Sequence, residues 1–328
     1  MNPTIAIIGA GEIGSRHLQA LALIDRPINV YVVDVNHDSL LKAKERFLEV
    51  STNRVTYVPK VNFLTDISNL PVFLDVTIIA TNSDIRHTVI KQLLYNTTVN
   101  CLIIEKFLFQ SLVDYKEIGE LFKKKNIKAW VNCPRRLWKF YYNLKLKLSE
   151  CRSIELNVTG SNWGLGCNSI HFLDLIAYFT GDQDFNLYSD KLDDKIVPSK
   201  RKRFIEFTGT LYGQSVNGNR ILLTSNHDNN DPLTVKVISD KVHYVVREGE
   251  KKAWIAEETN KWHFNEVRFD FNHQSELTHL VVQRLLDNGQ CNLPGYEESS
   301  HLHKAIMKPF LTHLKNLTGR DATQCPIT

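Results

Sequence analysis

Three glycines and one carboxylate carry the first chemistry legible in this chain of 328 residues. Gly9, Gly11 and Gly14 stand in the pattern G-x-G-x-x-G, with Glu12 and Ile13 inside the loop, and Asp34 follows twenty residues after Gly14. The spacing suits a pyrophosphate. Gly9 permits a tight turn, Gly11 lets the backbone approach the phosphates, and Gly14 lets a helix pack closely on a strand. The phosphates then lie over the N–H groups of a helix N-terminus, where the helix dipole favours anions. Asp34 would accept hydrogen bonds from the adenosine ribose hydroxyls and repel a 2′-phosphate. No arginine occupies positions 35–37 to hold such a phosphate, which favours NAD over NADP. Two other readings keep the same loop: a methyltransferase, which also places an acid after its second strand, and a nucleotide site without chemistry.

Further polar residues gather where apolar runs end. They are Thr81-Asn82-Ser83 with His87, Glu105-Lys106, Arg135-Arg136, and His171 with Asp174 three residues on. Each has an ordinary structural reading beside the functional one. Lys106 at a strand terminus is also what a solvated charge looks like, and His171 what a satisfied histidine at a helix start looks like. His87 reads as a helix-face residue. Trp163 and Asn162 either line a sugar pocket or anchor a loop. Arg135 and Arg136 either reach an acidic group on a substrate or form ion pairs at a domain boundary. His301 and His303 are two apart on a helix and do not face together.

The elements that would position these residues follow from the apolar pattern. Residues 4–8 form an apolar run that breaks at the glycine loop, and Ile13, His17, Leu21 and Ile24 recur at helical spacing until Pro27. Strands are expected at 28–33, 76–80, 101–104 and 127–131, with helices over 38–49, from Ser83 to about Leu94, and near 114–124. Continuous apolar strands alternating with helices mean a parallel sheet covered on both faces. Pro134 marks a change. Helix signals near 137–148 and 169–180 precede several strands between about 203 and 271, among them Arg203–Leu211, Arg220–Ser225, Thr234–Ser239 and Val242–Arg247, separated by turns such as Asn217-Gly218. Helices at 274–287 and 297–316 end the chain. The fold expected is α/β: an N-terminal Rossmann doubly wound parallel sheet over 1–131, then an α+β domain with a mostly antiparallel open sheet over 132–328. The last helix is expected to pack back on the first domain.

Composition excludes several classes. A net charge of +4, with its densest basic runs at Lys123–Lys125 and Lys200–Arg203, is no nucleic-acid footprint; those runs read as solvated helix or loop. No apolar run approaches the roughly 18 residues that cross a bilayer, and with a strand pattern at 4–8 and no basic n-region no signal peptide is expected. Six cysteines are far apart and form no C-x-x-C pair, so neither a disulfide framework nor a zinc site is expected, and no metal is assigned. A reducing cytoplasm is the expected compartment.

In this order and spacing, the motifs together resemble the glucose–fructose oxidoreductase / inositol dehydrogenase / MocA (Gfo/Idh/MocA) family. The resemblance covers nearly the whole chain: Gly9–His17, the A-T-N…H segment, Glu105-Lys106, Arg135-Arg136, His171-x-x-Asp174, and Pro294-Gly-Tyr-Glu-Glu before the last helix. It implies a division of labour. Lys106 would hydrogen-bond the reacting oxygen beside the nicotinamide and stabilise negative charge there. Glu105 would fix the cofactor end of its strand. His171 would exchange the hydroxyl proton, which suits its reference pKa near 6.5. Asp174 would orient it, Thr81, Asn82 and Ser83 would contact the nicotinamide end, and Arg135, Trp163, Asn168 and Asp174 would face the substrate.

Two departures stand out. The usual E-K-P reads Glu105-Lys106-Phe107, so the lysine loses the constraint that a following proline imposes. Many members carry an aspartate four residues before the histidine, where this chain has Cys167; the neighbouring Asn168 takes no proton at neutral pH. The expectation is an NAD(H)-dependent oxidoreductase moving a hydride to or from a carbinol or carbonyl carbon of a sugar, polyol or sugar derivative. A homodimer or homotetramer is expected, the exposed sheet being the family's usual oligomer surface. The other reading is a non-catalytic NAD-binding sensor or scaffold with the same fold.

Overall fold

A computed structural model describes residues 2–51, 57–227 and 229–328. The chain divides into two compact units. The first opens with β1 (Thr4–Ile8), α1 (Glu12–Leu21), β2 (Asn29–Val33), α2 (His37–Ser51), β3 (Lys60–Leu64), β4 (Phe73–Ile79), α3 (Ser83–Asn96), β5 (Thr98–Ile104), α4 (Leu112–Lys125) and β6 (Lys128–Val131). The strands form one parallel sheet in the order β3-β2-β1-β4-β5-β6, the doubly wound order whose ligand crevice lies at the carboxyl ends of the strands. Its central strands are apolar on both faces because helices cover both. Ile5, Ala6 and Ile7 of β1, Val76, Ile78 and Ile79 of β4, and Leu102 and Ile104 of β5 are fully enclosed.

The second unit contains α5 (Lys139–Leu148), β7 (Ile154–Ser161), α6 (Leu165–Thr180), β8 (Phe185–Leu192), a two-residue ladder of β9 (Val197–Pro198) with β10 (Ile205–Glu206), then β11 (Gly209–Ser215), β12 (Arg220–Asn226), β13 (Thr234–Ser239), β14 (Val242–Arg247), β15 (Lys252–Glu257) and β16 (Asn265–Arg268). Eight strands make one sheet in the order β16-β15-β14-β13-β7-β12-β11-β8, antiparallel except where β7 and β12 run parallel. The α6 helix packs against β7 and β12. On the opposite face lies a register row of Tyr188, Tyr212, Leu222, Asn157, Lys236, Val245 and Trp254, all exposed or half-exposed. Alternation along each strand creates the two faces: β7 buries Ile154, Leu156 and Val158 and turns Asn157 and Thr159 outward.

The chain then forms α7 (Gln274–Asn288) and α8 (Tyr296–Thr318). Residues 272–296, and so α7, belong to the first unit, where α7 packs on α1; the terminal helix beyond Tyr296 belongs to the second. This differs from the expected division, which gave everything past 131 to the second domain and returned only the last helix. The strands β3, β7 and β8 and the two-residue β9 were not expected. Half-polar β3, β7 and β8 show weak local patterns and are set by pairing with strands distant in sequence. The expected strand over 203–211 is broken into β10 and β11, where Gly209 adopts φ +91°.

Candidate functional site

The carboxyl rim of the parallel sheet collects the first set of candidate residues. Ladder hydrogen bonds continue one step past each strand: Gly9 N to Val33 O, Asp34 N to Leu64 O, Ala80 N to Ile8 O, Glu105 N to Ile79 O, and Asn132 N to Ile104 O. The glycine loop, Asp34, Thr81-Asn82 and Glu105-Lys106 therefore leave neighbouring strands at one edge.

The loop fits a dinucleotide on its own geometry. Gly9 adopts φ +97°, and a Cβ at Gly14 would stand 1.8 Å from Gly9 O, so that crossing admits no side chain. A Cβ at Gly11 would meet nothing within 4 Å, so the backbone there faces open space at the start of α1. Gly11, the N-cap residue, offers α1 no capping side chain, and the N–H groups of Glu12, Ile13 and Gly14 belong to its first turn, where an anion is favoured. The Glu12 side chain turns outward and pairs with Arg46 at 2.9 Å. Asp34 binds the loop directly: Oδ2 accepts from Ala10 N at 2.7 Å and Oδ1 from Asn36 N at 2.8 Å. Gly9, Gly11, Glu12, Ile13, Gly14 and Asp34 are the residues that would hold the adenosine and pyrophosphate.

Glu105 does not face the rim. It is 5% exposed and lies in a polar network inside the unit. His17 Nε2 stands 2.9 Å from Glu105 Oε1, and Asn132 Nδ2 donates to the same oxygen. Behind them, His17 Nδ1 is 2.7 Å from Thr278 Oγ1, Asn132 Nδ2 donates to Gln274 Oε1 at 2.8 Å, and Gln274 Nε2 donates to Thr278 Oγ1 at 2.9 Å. The carboxylate only accepts, so Nε2 carries the proton in this bond. Burial alone would raise the Glu105 pKa. The hydrogen bond and charge of His17, the Asn132 amide and the Lys106 ammonium outweigh it and hold the carboxyl below its ordinary range. Glu105 thus anchors the backbone that carries the half-buried Lys106. The Lys106–Phe107 peptide bond is cis. The missing proline does not leave this segment loose, because buried Arg86 donates to the carbonyls of Phe107 and Leu108.

The second set lies on the second unit. The α6 helix begins four residues earlier than expected, at Leu165, so Cys167, Asn168, His171 and Asp174 all ride on it. Its N-cap, Gly164, is left-handed at φ +77° and supplies no side chain. Glu206 of β10 caps the helix instead, Oε2 accepting from Gly166 N at 2.7 Å and Cys167 N at 3.3 Å. His171 is half-buried one turn beyond Cys167. Trp163 anchors its loop, with Nε1 donating to Thr224 O at 2.8 Å and its ring edge-on to Phe172. Asn168 Nδ2 donates to Trp163 O at 2.7 Å.

Asp174 and Arg135 are engaged within the protein. Asp174, 0% exposed, takes two contacts from Arg136, Nε to Oδ2 and Nη2 to Oδ1, both at 2.8 Å. Burial pushes the Asp174 carboxyl up to about 6, with Arg136 offsetting part of the rise. Burial opposes the Arg136 charge, but Asp174 and Glu298 hold it above its ordinary value. Arg135 forms a two-point pair with Glu248 at 2.8 and 2.6 Å, which also accepts from Tyr141 Oη, and its guanidinium lies 4.5 Å from the centroid of the Phe172 ring. Ion pairing is what both arginines do, and Asp174 is turned to Arg136.

Sequence reading missed His17, Asn132, Gln274 and Thr278 as partners of Glu105, and it named His87 where Arg86 points inward. His87 instead pairs with Glu117 at 2.9 Å on the surface. The signal lay in α3, where Ser83, Arg86, Ile90 and Leu93 are buried at helical spacing, placing an arginine on the inward stripe. Among the described residues no cluster of metal-ligating side chains occurs and no helix is long and apolar enough to cross a membrane.

A doubly wound sheet with a glycine loop opening its first helix and an acid ending its second strand defines a dinucleotide-binding Rossmann domain. Residues 4–133 match the model of the Gfo/Idh/MocA oxidoreductase family, described by its NAD-binding Rossmann fold. No curated protein matches the chain. Solved structures share the fold at low identity. UDP-N-acetylglucosamine 3-dehydrogenase from Acidithiobacillus ferrooxidans is 13% identical with a TM-score of 0.67, covering 94% of this chain and 97% of its own. An Agrobacterium radiobacter oxidoreductase in complex with NAD+, L-tartaric acid and magnesium is 12% identical with a TM-score of 0.70, covering 98% of each. A super-repressor mutant of Gal80p from Saccharomyces cerevisiae is 12% identical with a TM-score of 0.70, covering 96% and 97%.

Proposed function

We propose that this protein is an NAD(H)-dependent dehydrogenase or reductase acting on a CH–OH or carbonyl carbon of a sugar, polyol or sugar derivative. The observation that carries the reading is Lys106, an amine at the carboxyl rim, one residue from an internally anchored carboxylate on the strand next but one to the glycine loop. The dinucleotide supplies the hydride acceptor or donor at its nicotinamide ring. Lys106 Nζ hydrogen-bonds the reacting oxygen and stabilises charge there, a contribution that elsewhere is worth about 3 kcal/mol. Thr81 and Asn82 hold the nicotinamide ribose. His171 takes the hydroxyl proton in oxidation and returns it in reduction. Trp163 and Asn168 stand near His171 in sequence as the pocket's ring and amide; Arg135 and Asp174 serve by holding α6 and its neighbours. The dehydrogenase activity of the Acidithiobacillus relative, on a nucleotide-linked sugar, supports a surface-sugar precursor as the substrate class. The open sheet face supports a homodimer or homotetramer, and six cysteines, all free thiols, support a reducing cytoplasm.

A panel of sugars, sugar acids and nucleotide sugars, followed by NADH absorbance, tests this. Lys106→Ala is expected to lower kcat by about a hundredfold with NADH still bound. Turnover that survives both Lys106→Ala and His171→Ala would overturn the assignment. The second reading, a non-catalytic NAD-binding sensor, is favoured by Cys167 one turn before His171 and by the likeness to Gal80p. It predicts that NADH binds and that no member of the panel changes its absorbance.

A further inference from the structure

Arg86 is buried on the inward face of α3 and is 1% exposed. Its guanidinium reaches three backbone carbonyls. Nη2 donates to Thr81 O, while Nη1 donates to Phe107 O and, at 2.8 Å, to Leu108 O. Thr81 opens the segment after β4, and Phe107 and Leu108 follow Lys106 directly after β5. One rigid fork therefore joins two segments that leave adjacent strands at the cofactor rim. A buried charge is costly unless its donors are used, and apolar packing would hold a helix on a sheet without it. What the guanidinium adds is geometry: several donors in a fixed plane, which the single point charge of lysine lacks. Lys106 is thereby restrained on both sides, through Glu105 by the His17 and Asn132 network and through Phe107 by Arg86.

We propose that Arg86 is a positioning residue for the nicotinamide end of the cofactor site, setting Thr81-Asn82 and Lys106 relative to each other. This rests on the NAD reading above and adds a residue outside the glycine loop on which cofactor affinity depends. Its substitution loosens both segments while leaving the loop and Asp34 in place.

The test is NADH binding to the full chain, followed by fluorescence, with thermal melting in parallel. Arg86→Lys, which keeps the charge and loses the fork, is expected to raise the Kd about tenfold. Arg86→Ala is expected to weaken binding further and to recover in part with millimolar guanidinium but not with equal sodium chloride. Leu93→Ala, on the same buried stripe of α3, is the control for stability alone. It is expected to lower the melting temperature without moving the Kd. Wild-type Kd in Arg86→Lys overturns the proposal, as does a Kd loss in Leu93→Ala that matches Arg86→Lys at equal loss of melting temperature. Failure of the unaltered protein to bind NADH overturns the cofactor reading itself, and this proposal with it.

Discussion

His17 Nε2 and Glu105 Oε1 meet at 2.9 Å although 88 positions separate them in the chain, and the two side chains are 1% and 7% exposed. The contact ties the first helix to the end of β5. Replacing His17 by alanine leaves a buried carboxylate short of its donor and Thr278 without its ring partner. A loss of about 2–3 kcal/mol is expected, read as a lower denaturant midpoint at unchanged slope.

The same carboxylate sets an acid limit on stability. Its folded pKa lies below the ordinary value of 4.5, so the stability it contributes is present above that value and is lost as pH falls through the folded value. Melting temperature should therefore drop more steeply below about pH 4.5 in the unaltered protein than in Glu105→Gln, which has no charge there to lose. Parallel curves for the two would show that Glu105 is not held ionised by its network.

Arg136 and Asp174 make the corresponding pair in the second unit. Asp174→Ala leaves a buried guanidinium with Glu298 alone and is expected to cost about 3 kcal/mol. Asp174→Asn carries an informative sign. The raised pKa means that ionisation costs stability as pH rises from 3.8 through about 6, so the asparagine variant should lose less relative to the unaltered protein at pH 7 than at pH 4. Chemical denaturation at the two pH values reads the difference.

Asp34 predicts cofactor choice. Asp34→Ala removes the proposed ribose acceptor and the bond to Ala10 N together. NADH affinity should fall about tenfold, and discrimination against NADPH should shrink because the charge that repels a 2′-phosphate is gone. Calorimetric titration with each dinucleotide checks both.

The open sheet face predicts assembly. Leu222 sits mid-row between Tyr212 and Asn157. Leu222→Glu should shift the protein to a smaller species in light scattering without changing its melting by more than about 1 kcal/mol, since the position is exposed. An unchanged mass would assign the oligomer interface elsewhere or none to this face.

The glycine loop, Asp34 and, β3 apart, the strand–helix alternation of the first 131 residues were legible because their cues are local. A G-x-G-x-x-G loop, an apolar run and a 3.6-residue stripe each declare themselves within a few turns of chain. The same holds for β13 and β14, whose bounds match the alternation at Thr234–Ser239 and Val242–Arg247.

Tertiary structure alone decided what those elements touch. Glu105 reads as a rim residue in sequence, yet it turns inward because His17, Asn132 and the returning α7 surround it. Arg135 and Asp174 read as substrate contacts, yet Glu248 and Arg136 take them. Glu206, forty residues on from Gly166, caps α6 and so moves the helix start past Cys167. Arg86 rather than His87 faces inward because burial, not chemical reputation, sets which side of α3 is covered. For Glu105, Asp174, Arg135 and the start of α6 the side-chain partners lie 27 to 113 residues away. Pairing at that range is selected by packing and by the cost of burying an unmatched polar group, and neither leaves a periodic trace in the sequence.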